Sequence, residues 1–385
     1  MRRPTFVYHL FLAFAFIYFA PLNTVAQEQA GSLEKEISEL MEQYEAVGLS
    51  VAVVKDGEII YSNAFGYQDL ETKAPLQSEH IFRIASISKS FTSTAIMQLV
   101  EQGHFTLDSD FGDLVGFPIR NPHFPDEVIT LRMVLSHTSS ISDKQGYFTL
   151  DVIDPSKNPN WEDAYNDYAP GTQYQYCNLN FNMAGVVLER FTDVRFDKLI
   201  VNNILDPLGL YGGYWIDSLD NNLFASIYAH DAENNRFNAQ PTAYHPRREE
   251  IKNYQMGYSA PIFSPTGGLK ISAPHLAEYM AMHMNYGIHK GVRILSEVSA
   301  KEMQKAVLDE SGYGLALKND SDYIEGEDMV GHTGSAYGLY SNMYFSPSKK
   351  FGIVVITNGC IAEYESGYVA LLKKSANALY QHLLN

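Results

Sequence analysis

The chain has 385 residues, 45% of them hydrophobic, and a formal net charge of −17. That length and apolar content suffice for a large core, in two or three domains or in one interleaved one. So acidic a surface repels phosphate backbones and offers anionic lipid no polybasic patch, which argues against nucleic acid or a membrane surface as partner.

At the N-terminus, Arg2 and Arg3 precede an apolar run over 6–20, and Thr24-Val25-Ala26 supplies a cleavage site. Pro21 breaks the run, which is short for a bilayer span. We expect a signal peptide over residues 1–26. Its removal takes away Arg2 and Arg3 and no acidic residue, so −17 becomes −19. The mature protein is then expected to be exported, periplasmic or secreted, without stable membrane insertion. No cysteine follows the run to carry a lipid. Cys177 and Cys360 are too few for a disulfide framework and are expected to be reduced. The 12 histidines show no metal-ligand spacing, and His123, His230, His245 and His283 read as ordinary surface or core residues. Neither a metal nor an organic cofactor is implied.

Apolar residues at helical spacing predict a helix over 33–45. Two strands follow, over 49–55 and 58–65, around an Asp56-Gly57 hairpin turn. A second helix is predicted over 86–102, with Phe91, Ala95, Ile96, Leu99 and Val100 inward. The central stretch to about residue 305 mixes loops with helices, two of them over 182–191 and 275–286. Strands return at 329–332, 338–345 and 352–358, before a closing helix over 368–384. This order predicts an α+β fold in which one antiparallel sheet draws on both chain ends (about 32–85 and 310–384) and a mainly helical lobe spans about 86–309. A site is expected in the crevice between lobe and sheet.

Three segments carry candidate chemistry. In Ser86-Ile87-Ser88-Lys89, serine and lysine share one helical face, and a lysine in a water-poor crevice can take the serine proton. Alone, the pattern also fits an N-cap serine beside a solvated lysine. In Tyr176-Cys177-Asn178, a phenol held partly as phenolate could shuttle a proton, and the amide could accept from lysine while donating to a carbonyl. Alone, this is one tyrosine among 26. In His332-Thr333-Gly334-Ser335, a small residue on a strand would let substrate approach the backbone. The Ser335 N–H could then form an oxyanion hole with that of Ser86.

In that order and spacing, the segments resemble the motifs of serine β-lactamases and penicillin-binding proteins. The sequence is similar to the class C β-lactamase-related serine hydrolases, with further likeness in Ile129-Thr130-Leu131-Arg132-Met133-Val134-Leu135-Ser136-His137-Thr138-Ser139, Pro207-Leu208-Gly209-Leu210 and Ser264-Pro265-Thr266-Gly267-Gly268-Leu269. The likeness covers roughly residues 32–384 as one catalytic domain. It implies the penicillin-binding-protein-like fold and an acyl-Ser86 intermediate on a small-molecule or short-peptide ester or amide. Lys89 and Tyr176 would handle the proton, and Asn178, His332, Thr333, Gly334 and Ser335 would bind substrate. Which of Lys89 and Tyr176 is the base stays open, because a coupled pair shares its proton.

The sequence departs from the family where classical members carry lysine and this one has His332, a weaker carboxylate anchor. That favours the esterase and D-peptidase branch over efficient β-lactamase activity. Ser140 replaces a family glycine. No G-x-S-x-G elbow fits, since Gly334-Ser335-Ala336-Tyr337-Gly338 has the wrong spacing. Two alternatives remain: an acyltransferase serving an alcohol such as a hydroxylated steroid, and a penicillin-binding or sensor module that deacylates slowly. Oligomeric state is not legible.

Overall fold

The computed structural model describes residues 22–385. The apolar run at 6–20, which carries the expected export signal, lies outside the described residues. Helix α1 (Leu22–Gln43) leads into the hairpin β1 (Gly48–Lys55) and β2 (Glu58–Asp69). The turn is built as its residues dictate, with Asp56 at φ 52° and Gly57 at φ 90°, both in the left-handed region that such hairpins require. A two-residue strand β3 (Ala74–Pro75) ends the N-terminal contribution.

The C-terminal part supplies β4 (Lys318–Asp320), β5 (Met329–Ala336), β6 (Leu339–Ser346) and β7 (Phe351–Gly359). Together they form one seven-stranded sheet in the order β4-β5-β6-β7-β1-β2-β3. The two chain ends meet at the antiparallel β1–β7 pair, where Val51 lies opposite Val355. The predicted sheet is therefore present, with short edge strands β3 and β4 that the sequence pattern did not show.

All nine residues of β7 are buried, so this strand is covered on both faces. Side-chain alternation divides its apolar residues between two cores. Leu49, Val51, Val53, Ile353 and Val355 pack with Leu33 and Ile37 of α1 and with Leu371, Leu372 and Leu379 of helix α5 (Ala370–Leu383). Ala52, Val54, Val354 and Ile356 face the opposite core, which runs continuously into the central lobe.

In the lobe, helices α2 (Ser88–Glu101), α3 (Asn178–Thr192) and α4 (Ala273–Met284) match the predicted ones to within a few residues. Helix α2 is buried around nearly its whole circumference, polar positions included. Burial of most of those hydroxyls is tolerable because they are bonded, Ser93 Oγ being the exception. Thr92 donates to the Pro265 carbonyl at 2.9 Å, and Thr94 meets the Tyr279 hydroxyl at 3.0 Å. The Tyr279 ring stacks on Phe91 with centroids 3.6 Å apart. A sequence helix that reads as amphipathic thus becomes the central post of the lobe.

The double-sided burial of β7 generates a stability prediction. Ile353→Ala removes a fully buried side chain between the sheet and the α1–α5 layer. It should cost about 2–5 kcal/mol, read as a lowered denaturant midpoint at unchanged slope. A midpoint equal to wild type would contradict the two-core arrangement.

Candidate active site

Ser86 lies in a 3-10 turn, Ala85–Ile87, immediately before α2 rather than inside the predicted helix. Ala85 adopts φ 49°, a left-handed conformation that costs a residue with a Cβ about 1 kcal/mol or more. The surroundings hold it there. The Ser88 hydroxyl donates to the Ala85 carbonyl at 2.7 Å and accepts from the Leu269 N–H at 3.1 Å. The Ile84 N–H bonds to the Leu269 carbonyl at 3.0 Å, and the Ile84 carbonyl accepts from the Ser341 hydroxyl of β6 at 2.9 Å.

Gly334 completes this clamp and corrects an expectation. A Cβ there would lie 2.3 Å from the Ile84 carbonyl oxygen and 2.4 Å from Ser341 Oγ. The missing side chain admits the turn that carries Ser86, not the substrate. Beyond the three residues paired with β4, the outer edge of β5 from His332 onward has no sheet partner among the described residues. In an antiparallel strand alternate N–H groups point to that edge, so it presents free donors beside Ser86.

Lys89 is fully buried directly beneath the serine. Its ammonium donates to Ser86 Oγ at 3.2 Å, Asn178 Oδ1 at 2.9 Å and the Thr266 carbonyl at 2.9 Å, which uses all three protons. Burial pulls its pKa down to about 7, against an opposing pull from the Asp143 carboxylate and from Cys177. The amine is therefore available as a proton acceptor near neutrality.

Tyr176 does not hold the phenolate that its sequence context suggested. Burial pushes the phenol well above its usual range, only partly offset by the neighbouring Ser86 hydroxyl. The Lys89 ammonium sits over the ring, 4.6 Å from its centroid, instead of on the oxygen. The phenolic oxygen is buried, and no donor or acceptor among the described residues meets it in hydrogen-bond geometry.

Asn178 is held on both sides of its amide. Its oxygen accepts from Lys89 and from Thr266 Oγ1 at 2.8 Å, and its nitrogen donates to Asp143 Oδ2 at 2.9 Å. Asp143 also accepts from the backbone N–H groups of Asn178 and Leu179, each at 2.9 Å, and so caps α3. That cap starts the helix at Asn178, four residues before the predicted 182.

His332 is buried, and both ring nitrogens are engaged, one with Tyr313 OH at 2.8 Å and the other with the Thr333 carbonyl. Burial, with Lys89 nearby, drops its pKa to about 3. It is neutral at ordinary pH, and it can orient substrate by shape but not by charge.

Sequence reasoning missed Asp143, Thr266 as a lysine acceptor, and His137. The Ser136–Ser139 segment turns out to template the Tyr176 loop. His137, at φ 59°, accepts the Cys177 N–H on Nδ1 at 3.1 Å. Its carbonyl takes the Gln175 N–H at 2.9 Å, and the Thr138 carbonyl takes that of Gly171 at 2.7 Å. Ser140 adopts φ 63°, and its hydroxyl accepts from Asn121 at 2.9 Å. Residues of one face, Ser86, Tyr176, Asn178, His332, Thr333 and Ser335, line an open cavity of about 610 Å³. Cys177 and Cys360 are buried and unpaired.

Two predictions follow from this electrostatic arrangement. Acylation of Ser86 by a fluorophosphonate should rise with pH through about 7, because neutral Lys89 accepts the proton and protonated Lys89 does not. His332 and His137, both held far below neutrality, add no second step. Asp143→Asn removes the charge that favours the ammonium, so the midpoint should move to lower pH. Misplacement of Asn178 should also slow the plateau about ten- to hundredfold. A midpoint unmoved or shifted upward would separate Asp143 from Lys89.

The Beta-lactamase family model matches residues 33–366. The chain is 23% identical over 356 residues to Protein flp of Staphylococcus aureus (strain N315), covering 88% of this chain and only 64% of that longer protein. Among solved structures, it resembles the octameric penicillin-binding protein homologue from Pyrococcus abyssi, with 27% identity and a TM-score of 0.72 over 91% of this chain and 77% of that one. It also resembles EstCE1, a hydrolase with promiscuous acyltransferase activity, with 20% identity and a TM-score of 0.72 over 92% and 99% of the two chains. With its sheet, its serine–lysine contact and a family match across most of its length, the chain belongs to the Beta-lactamase family, in the class C and penicillin-binding-protein-like group of serine hydrolases.

Proposed function

We propose that this protein is an exported serine hydrolase that acts on an ester or amide through an acyl-Ser86 intermediate. The observation that carries this reading is the contact of Lys89 Nζ with Ser86 Oγ at 3.2 Å in a site where burial brings the lysine to about 7. Neutral Lys89 takes the Ser86 proton as Oγ attacks the carbonyl carbon. The oxyanion is stabilised by N–H groups of Ser86 and of the free edge of β5. Tyr176, protonated at rest, is suited to hand its proton to the leaving group and to recover it from the water that releases the acyl group. Neutral His332 supplies no charge for a substrate carboxylate, which favours uncharged esters and amides over β-lactams.

Transfer to an alcohol is a second reading, favoured by the rim of the cavity. Tyr147, Phe148 and Tyr337 line its mouth, and Phe148 is 49% exposed. An apolar rim of this kind can seat an acceptor alcohol in the place of water.

A chromogenic panel of short-chain esters, D-alanyl amides and a cephalosporin, run on wild type and on Ser86→Ala, tests the proposal. Ester or amide turnover should exceed cephalosporin turnover and fall about a thousandfold or more in Ser86→Ala. Full activity in that variant would overturn the assignment. Added alcohols should divert acyl product to ester if the transfer reading holds, and a product ratio indifferent to alcohol would end it.

A further inference from the structure

Behind the active-site wall lies a second, much smaller cavity of about 20 Å³, room for one small solute. Arg83 and Ser264 line both cavities and stand between them. The floor is a short three-stranded sheet that pairs Phe82–Arg83 and Gly212–Gly213 with Lys270–Ile271.

Its chemistry is one-sided. Lys270 is 5% exposed, and its ammonium has a single acceptor among the described residues, the Tyr214 carbonyl at 2.7 Å, which leaves two protons uncommitted. Arg83 donates from Nε to the Gly267 carbonyl at 2.9 Å and from Nη1 to the Ala243 carbonyl at 3.2 Å, leaving Nη2 free. Arg247 has only a long contact to Glu250 at 3.5 Å. The Trp215 indole N–H is buried and has no acceptor among the described residues. Among the described residues, no Asp or Glu lines the cavity. The nearby Asp197 is taken by Arg195, with contacts of 2.6 and 2.9 Å.

Lys270, Arg83 and an orphaned indole donor, with the half-exposed Arg247 at the rim, thus face one small space inside a protein of net charge −17. Uncompensated, such a grouping is unfavourable, because each unmet donor loses its water and the like charges repel. Burial, Arg83 and Arg247 all act to drive the proton from Lys270, with only Asp197 opposing them. A small negative ion would answer the donors and the repulsion together.

We propose that this cavity binds a compact monoanion of the size of chloride or formate, held by Lys270, Arg83, Arg247 and the Trp215 indole N–H. Its volume excludes a larger substrate group. The ion would brace Arg83 against Gly267, next to the Thr266 carbonyl that accepts from Lys89.

Trp215 makes the site directly readable, since the chain has only two tryptophans. In a Trp161→Phe background, bromide is titrated against Trp215 fluorescence at constant ionic strength with gluconate. Quenching should saturate, and chloride or formate should reverse it while sulfate does not. A preference of one competitor over the other identifies a halide or a carboxylate as the fitting ion. Lys270→Met should weaken the saturable component about tenfold or more, and Arg247→Gln, nearer the surface, gives the same reading should the first variant fold poorly. Quenching that stays linear in bromide, that sulfate reverses equally, or that both variants leave unchanged would overturn the proposal.

Discussion

Everything at the Ser86 site depends on the cost of burying the Lys89 ammonium. Removing such a group from water costs several kcal/mol unless its protons are satisfied. Here three acceptors meet them, from the α2 turn, the start of α3 and the Thr266 loop. The desolvation left over lowers the pKa to about 7 without breaking the contacts. Fewer acceptors would leave an unsupported buried charge, whereas an acidic partner in direct contact would hold the proton too firmly for base chemistry. Asp143 meets that second constraint because its carboxylate bonds Asn178 and not the lysine, on which it acts only from a distance.

Convergence of these segments needs unusual backbone at the junctions. Ala85, His137, Ser140 and Ser264 all adopt positive φ without being glycine, and each borders the site or its supports. Such conformations persist only where the surroundings over-determine them. The surroundings do so visibly. The Ser88 hydroxyl and the Ser341 hydroxyl fix the turn at Ala85, and the Cys177 and Gln175 N–H groups fix His137. The sheet contributes by closing from both chain ends, so that β5 and β6 reach the same turn that β1 and β2 lead into.

The interior is also electrostatically distinct from the acidic exterior. Lys89, Lys270 and Arg83 have their pKa values lowered chiefly by burial, while His332 and His137 are forced neutral by the same cause. The site therefore combines a titrating amine with uncharged imidazoles. This differs from a lysine-bearing third motif, which would place a second amine near Ser86.

The linear order of residues was enough to locate most of this. Period-2 and helical spacing placed the main strands and helices, because double burial and central position demand continuous apolar runs. Serine, lysine, tyrosine and asparagine at their motif spacings named groups that the fold brings together at the cavity, because the chemistry restricts which side chains can serve. What the linear order did not determine was anything set by contact at long range. Gly334 reads as room for substrate, yet Ile84, 250 positions earlier by numbering (334 − 84), fills that room. Tyr176 reads as a shuttle of open protonation state, and only its burial makes it a phenol. Asp143 carries no motif of its own, and it matters because folding delivers its carboxylate to the first turn of α3. Local spacing sets which groups exist and which way they face along an element. Desolvation and hydrogen-bond partnership arise only once distant segments exclude water around them, so the tertiary structure alone decided the charge each group carries.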